Sequence, residues 1–388
     1  MVLNQYFHFL CPICRSQFIL AEEVVRNASL RLYLKSSKNL LGILALLNHS
    51  QSTDVEIMGI WGIAGIGKTS IAREIFELHA PHYDFCYFLQ DFHLMCQMKR
   101  PRQLREDFIS KLFGEEKGLG ASDVKPSFMR DWFHKKTILL VLDDVSNARD
   151  AEAVIGGFGW FSHGHRIILT SRSKQVLVQC KVKKPYEIQK LSDFESFRLC
   201  KQYLDGENPV ISELISCSSG IPLALKLLVS SVSKQYITNM KDHLQSLRKD
   251  PPTQIQEAFR RSFDGLDENE KNIFLDLACF FRGQSKDYAV LLLDACGFFT
   301  YMGICELIDE SLISLVDNKI EMPIPFQDMG RIIVHEEDED PCERSRLWDS
   351  KDIVDVLTNN SVSRTVFSSF NTSDTSCIRG YPFFSCNR

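Results

Sequence analysis

VEIMGIWGIAGIGKTSIAREIF, residues 55–76, passes from a strand into a glycine loop and then into a helix. Residues 55–61 are mostly β-branched and large apolar side chains with one charge, the composition of a short strand buried on both faces of a parallel sheet. Gly62, Gly67, Lys68 and Thr69 satisfy the pattern G-x-x-x-x-G-K-[ST], and Gly65 removes one more side chain from the loop. Beyond it, Ile71, Ala72, Ile75 and Phe76 line one face at helical spacing, which predicts a helix packed on the sheet.

Each residue type answers a physical need. Glycines let successive backbone N–H groups turn inward and approach phosphate oxygens with no Cβ in the way. The helix N-terminus adds donors and the positive end of its dipole. Lys68 supplies charge for the outer phosphates, and the Thr69 hydroxyl, followed by Ser70 in the first helical turn, is placed to ligate magnesium. The bland alternative is a glycine-rich turn followed by a chance Lys-Thr pair; a strand before it and a helix after it favour phosphate binding.

At 388 residues, 44% of them hydrophobic, the chain has the length of two or three globular domains. A net charge of −5 gives no overall attraction to nucleic acid or to anionic membrane. Thirteen cysteines are scattered through apolar and helical runs, which suits free thiols in a reducing compartment. No stretch of about 18 uncharged apolar residues occurs, so no transmembrane helix is predicted. The N-terminus lacks the basic region of a secretory signal.

Hydrophobic patterning divides the chain into five parts. Residues 1–50 are a lead-in: Cys11 and Cys14, with His8 nearby, have the spacing of half a zinc knuckle, but no second pair follows, so ordinary thiols are expected. Residues 20–47 turn helical and form a linker helix. Residues 51–188 alternate strand-like and helix-like segments, with strands predicted at 55–61, 85–89, 137–142 and 166–170 and helices at 102–112 and 127–134. Residues 189–254 form a helical bundle, with helices at 194–204, 210–217, 223–232 and 240–247. Residues 255–357 continue helical to about 296, then read as a helix at 304–312 and a two-stranded wing around Asp317-Asn318. Residues 358–388, rich in Ser, Thr and Asn from 361 on, form a disordered tail. The expected fold is therefore an α/β P-loop NTPase domain with a parallel sheet, then an α-helical bundle and a winged-helix domain.

A winged helix often means DNA. Between residues 263 and 322, however, twelve Asp or Glu stand against four Lys or Arg, the wrong sign for tracking phosphates. A protein-packing module is expected there.

A phosphate loop needs carboxylates on a second strand, and ILLVLDD at 138–144 delivers Asp143 and Asp144 at a strand end. One can hold magnesium and the other orient an attacking water. The strand 167–171 leads into Arg172, whose guanidinium suits sensing a terminal phosphate. Gly220-Ile221-Pro222-Leu223-Ala224 opens an apolar helix, with Pro222 in the tolerated first turn.

The order of these motifs resembles the NB-ARC module of apoptotic adaptors and plant disease-resistance receptors, most closely receptors of the Toll/interleukin-1 receptor, leucine-rich-repeat class. GIWGIAGIGKTSIA at 59–72, FCYFLQDF at 85–92, ILLVLDDV at 138–145, HRIILTSR at 165–172, GIPLAL at 220–225, FLDLACFFRG at 274–283, QDMGRIIV at 327–334 and RSRLW at 344–348 carry the resemblance. It implies a cytoplasmic, alternatively nuclear, switch in plant immune signalling, inactive with ADP and active with ATP, with slow ATPase turnover. The alternative is a non-catalytic nucleotide-binding scaffold beside a full-length receptor. By resemblance, Gly65, Ile66, Gly67, Lys68, Thr69 and Ser70 cradle phosphate, Thr69 and Asp143 hold magnesium, Asp144 serves the hydrolytic water, and Arg172 meets the terminal phosphate. Pro222 meets adenine, and Leu41 and Gly42 offer backbone contacts to the base. Protein partners, including other immune receptors and further copies of itself, are implied, with no nucleic acid.

Two departures stand out. Where the family usually reads Met-His-Asp at the end of the wing, this chain reads Met322-Pro323-Ile324, so the histidine expected at the ADP phosphate is missing. A hydrogen bond to a charged group contributes roughly 1.5–3 kcal/mol, while driving a switch from 1:99 to 99:1 takes about 5.5 kcal/mol. The loss is expected to loosen the ADP-held state without reversing it. Second, these 388 residues show neither a Toll-type domain nor a leucine-rich repeat, the expectation for a truncated form or one that works beside a full-length partner.

A signalling GTPase would carry an Asn/Thr-Lys-x-Asp motif after a strand. The nearest match, Asn318-Lys319-Ile320-Glu321, ends in Glu and lies in the wing, which argues against that class.

Overall fold

The computed structural model of the protein describes residues 37–49, 56–113, 136–158, 161, 164–204, 211–233, 246 and 253–358. The sequence expectations at His8, Cys11 and Cys14, the helices at 127–134 and 240–247 and the tail from 359 lie outside these residues. The described chain divides into two compact units: one holds residues up to 61 together with 67–211, the other residues 62–66 together with those from 212 onward.

In the first unit, helix α1 (Lys38–His49) precedes strand β1 (Glu56–Trp61), and α2 (Lys68–His79) follows the glycine loop. Then come β2 (Phe85–Leu89), α3 (Phe92–Met98), α4 (Pro101–Phe113), β3 (Ile138–Leu142), α5 (Ala148–Ile155), β4 (Arg166–Ser171), α6 (Lys174–Gln179), β5 (Tyr186–Glu187) and α7 (Asp193–Cys200). The five strands pair in parallel in the order β2-β3-β4-β1-β5. The four longer predicted strands are present, within a residue at either end. The two-residue β5 is an addition to the predicted set, as are helices α3, α5 and α6, of seven, eight and six residues, too short for a helical repeat to stand out from its surroundings.

Every residue of β3 is buried, as are the last five of β4. That explains why these strands read as continuous apolar runs: helices cover both faces of the sheet, and no face needs polar side chains. Leu104, Phe108, Ile109 and Leu112 of α4 and Ala151, Val154 and Ile155 of α5 join β3 and β4 in the main core. Helix ends follow local chemistry. Asn147 caps α5 through the Arg149 N–H at 2.8 Å, and Gly156 ends it at φ 83°. Ser192 and Glu195 form a reciprocal capping box at α7.

The second unit contains α8 (Ile211–Ser218), α9 (Pro222–Ser233), α10 (Thr253–Asp264), α11 (Glu268–Asp276), a π-type turn over Leu277–Phe281, α12 (Lys286–Ala295) and α13 (Thr300–Asp309). The wing follows as β6 (Ser314–Val316) paired antiparallel with β7 (Lys319–Glu321), then α14 (Ile324–His335) and α15 (Ser350–Thr358). Asp317 and Asn318 both take positive φ, 50° and 61°, the conformation a two-residue hairpin turn requires. Phe259, Phe274 and Phe326 are fully buried in this unit. Two arginines pin the approach to α15. Arg346 pairs with Asp276 at 2.7 Å, and Arg344 with Asp352 at 2.9 Å.

Candidate functional site

In the first unit the site is built on the C-terminal ends of parallel strands, where an open α/β sheet places its ligands. Gly67 stands before α2 at φ 102°, and a Cβ on it would meet nothing within 4 Å, so open space lies where the backbone turns. Helix α2 begins at Lys68 and has no acidic residue in its first turn, which leaves the positive end of its dipole uncompensated by its own side chains. Lys68 is buried. The Ile71 N–H donates to the Gly67 carbonyl at 3.0 Å and closes the first turn.

Two hydroxyl side chains meet at Asp143, itself nearly fully buried. The Thr69 hydroxyl donates to the Asp143 carboxylate, at 3.0 and 2.9 Å from its two oxygens, and the Thr170 hydroxyl donates to Oδ1 at 2.7 Å. Thr170 also accepts from the Asp144 N–H at 2.8 Å, so one hydroxyl fixes both acids. Burial pushes the Asp143 carboxyl above the ordinary range, the two threonine hydroxyls pull it down, and the charges of Asp144 and Asp91 push it up again. A divalent ion would invert that balance, and the set of hydroxyl and carboxylate oxygens suits the hard ion magnesium. The residues present therefore fit the metal the sequence implies.

Asp144, at φ 62°, turns its carboxylate to Arg172: Nε donates to Oδ1 at 3.2 Å and Nη2 to Oδ2 at 3.4 Å. The phosphate-sensing arginine and the acid expected to serve water are thus paired with each other. Sequence placed both at strand ends but did not show the pairing, because β3 and β4 are neighbours only in the folded sheet. Thr170 was legible only as a strand-end hydroxyl; its bridging role depends on the same register.

At the far edge of the sheet, Asn39 of α1 exchanges two hydrogen bonds of 2.9 Å with the Gln189 backbone. Gly42 faces Tyr186 of β5, whose hydroxyl would stand 2.6 Å from an added Cβ. Leu41 has an exposed side chain, and its N–H donates to the Ser37 carbonyl at 3.1 Å.

In the second unit, the Leu223 N–H donates to the Gly65 carbonyl at 3.2 Å, and a Cβ on Gly65, at φ 73°, would press on Leu223 at 2.9 Å. Pro222 is the first residue of α9, as its tolerance for that position predicts. Pro323 stands just before α14, and in place of a histidine contact the Ile324 N–H donates to the Ser219 hydroxyl at 3.0 Å. Ser219 takes φ 51°, and the hydrogen bond ties the start of α14 to the segment leading into α9.

The NB-ARC domain family matches residues 40–208, and the winged-helix domain of Roq1-like disease resistance proteins matches residues 267–338. The chain is 96% identical over 363 residues to the disease resistance protein RPP2A of Arabidopsis thaliana, covering 93% of this chain and 28% of that protein. It is 35% identical over 342 residues to RRS1B of the same plant, covering 85% of this chain and 25% of that protein. The chain thus spans well under a third of either relative's length. Among solved structures, a Walker-type ATPase of Pyrococcus abyssi matches with a TM-score of 0.53 at 14% identity, covering 76% of this chain and 95% of that one, a likeness of fold alone. No helix among the described residues is long and apolar enough to cross a membrane.

Proposed function

Residues 40–208 are an NB-ARC nucleotide-binding domain and residues 267–338 a Roq1-like winged-helix domain, and from that premise we propose that the chain is the ADP/ATP-operated switch of a plant immune receptor. The observation that carries the reading is the Thr69–Asp143–Thr170 cluster beside the start of α2, next to the Arg172–Asp144 pair.

Phosphate binds to the loop N–H groups and Lys68, with Gly65, Ile66, Gly67, Thr69 and Ser70 shaping the cradle. Thr69 and Asp143 would hold magnesium, which when bound would supply positive charge to offset that of the phosphates. Pro222 lies against adenine, and the α1 segment at Leu41 and Gly42 borders the base. A terminal phosphate competes with the Asp144 carboxylate for the Arg172 guanidinium. With ADP, Arg172 stays on Asp144 and the acid is held from water. With ATP, Arg172 moves toward the terminal phosphate and Asp144 is released to orient the attacking water. Turnover is slow because the acid must first lose its partner, and hydrolysis resets the switch. The protein works in the cytoplasm, with the nucleus as a second compartment, through protein partners that include other immune receptors and further copies of itself.

The Asp144–Arg172 pair also favours a second reading, a non-catalytic scaffold in which that pair never opens. The deciding experiment identifies by chromatography the nucleotide released from denatured purified protein, wild type and Lys68→Ala, and then follows phosphate release from ATP. Bound ADP in the wild type, lost in the variant, with slow phosphate release, supports the switch. Bound nucleotide with no turnover supports the scaffold. A wild type free of nucleotide refutes both.

A further inference from the structure

We propose that Tyr186 recognises the base of the bound nucleotide: its ring borders the base beside Gly42, and its hydroxyl hydrogen-bonds a polar atom on the edge of the base. The proposal rests on the nucleotide-switch reading above, which sets Leu41 and Gly42 beside the base.

Tyr186 reaches this place through the sheet. β5 is the last strand in the order and pairs with β1, Tyr186 opposite Ile60 and Glu187 opposite Trp61. The tyrosine therefore stands at the carboxyl end of the sheet, where β1 gives way to the glycine loop and where ligands of such sheets bind. The Ile188 N–H continues the pairing by donating to the Trp61 carbonyl at 2.9 Å. Tyr186 and the phosphate loop are thus carried by neighbouring strands.

Helix α1 is fastened to the same segment. Asn39 is buried, and its side-chain amide donates to the Gln189 carbonyl and accepts from the Gln189 N–H, each at 2.9 Å. Those are the two bonds a backbone neighbour would make at this edge. Three residues further along α1, Gly42 meets Tyr186. A Cβ there would lie 2.6 Å from the tyrosine hydroxyl oxygen and 3.3 Å from two ring carbons, so the hydroxyl fills the space that any other side chain at position 42 would need. Glycine within a helix weakens it relative to alanine. What it provides here is the close approach of the tyrosine.

The hydroxyl keeps its bonding capacity. Tyr186 is half-buried, yet its oxygen makes no hydrogen bond to any of the described residues. A packed tyrosine ordinarily finds a partner for its O–H. Burial pushes the phenol above its ordinary range, so the group carries its proton at neutral pH and can either donate or accept. Leu41, next to Gly42, has an exposed side chain and adds apolar surface. Apolar surface with one convergent polar group suits a flat heteroaromatic ring, whose face is apolar and whose edge is polar.

The test is calorimetric titration of the purified full chain, stripped of nucleotide, with ADP and with inorganic pyrophosphate, for wild type, Tyr186→Phe and Gly42→Ala. Phenylalanine keeps the ring against Gly42 and removes only the hydroxyl, and thermal melts check that both variants keep the fold. The expected result is that Tyr186→Phe weakens ADP binding about two- to tenfold, the loss of one neutral hydrogen bond, and leaves the affinity for pyrophosphate, which has no base, unchanged. Gly42→Ala, whose Cβ would displace the hydroxyl, weakens ADP at least as much. An ADP affinity unchanged by Tyr186→Phe overturns the assignment, as does a loss of equal size for pyrophosphate, which would make the tyrosine a structural support only. A wild type that binds neither ligand refutes the nucleotide reading itself, a distinguishable failure.

Discussion

Replacing Arg346 with methionine should destabilise the second unit strongly at neutral pH and much less in mild acid. The Arg346 guanidinium donates to Asp276 Oδ1 at 2.7 Å, to the Asn272 carbonyl at 3.0 Å, to Asn272 Oδ1 at 3.1 Å and to the Ser345 hydroxyl at 2.9 Å. Side-chain exposure is 3% for the arginine and 1% for the aspartate, so solvent cannot replace what is removed. Asp276 Oδ2 has no hydrogen-bond partner among the described residues, and burial holds the Asp276 carboxyl above the ordinary carboxylate range even against the pull of Arg346. Without the guanidinium, the folded protein must bury a bare charge or take up a proton. Breaking a buried pair costs about 3–5 kcal/mol. Protonation caps the charge contribution: neutralising a carboxyl of ordinary pKa about 3.9 at pH 7 costs about 4 kcal/mol, and at pH 5 about 1.5 kcal/mol.

The sign follows from proton binding. The Asp276 pKa is raised in the folded state, so the folded protein binds the proton more tightly than the unfolded chain does. Stability from this group is fully present below the unfolded value and is lost as pH rises through the folded one. The deficit of Arg346→Met against wild type should therefore shrink as pH falls from 7 to 5. Hydrogen exchange of the α11 amides, followed by mass spectrometry, measures it without assuming that the whole chain unfolds in one step. Pairing the substitution with Asp276→Leu should recover most of the loss at pH 7, because no charge is left behind. A deficit below about 1 kcal/mol at pH 7, or one that is constant between pH 5 and pH 7, would refute this account.

Four other outcomes are expected. Ser219→Ala removes the hydrogen bond to the Ile324 N–H, a contribution of about 0.5–1.5 kcal/mol, and should shorten ADP residence by roughly two- to tenfold. The double change Pro323→His, Ile324→Asp should lengthen it, and equal ADP content in this variant and wild type would sink the role given to that position. Asp144→Asn should retain bound nucleotide while single-turnover phosphate release falls at least roughly a hundredfold; release at the wild-type rate would remove Asp144 from the chemistry. Gly330→Ala puts a Cβ on α14 that would stand 2.7 Å from the Ala278 Cβ and 3.2 Å from the Phe274 ring. Overpacking of about 1–3 kcal/mol should outweigh the helix-propensity gain of about 1 kcal/mol, so the thermal midpoint should drop, and an unchanged or higher midpoint would contradict the packing.

Much of the molecule is legible in the sequence because its signals are local. A run of apolar residues followed by Gly62, Gly65, Gly67, Lys68 and Thr69 already contains strand, anion nest and helix start, since each depends on neighbours in the chain. The apolar runs of β3 and β4 announce strands buried on both faces, and Asp317-Asn318 announces a hairpin turn through its own backbone preference. What the sequence could not determine is which strand ends lie side by side. The order β2-β3-β4-β1-β5 brings Thr170 to both acids and sets Arg172 on Asp144. It also takes the folded chain to seat Arg346 on Asp276, seventy residues away, and Ser219 under the first turn of α14. These pairings join residues far apart in sequence, and hydrophobic period and local propensity carry no information about register between distant segments. That information exists only once the sheet and the helices have packed.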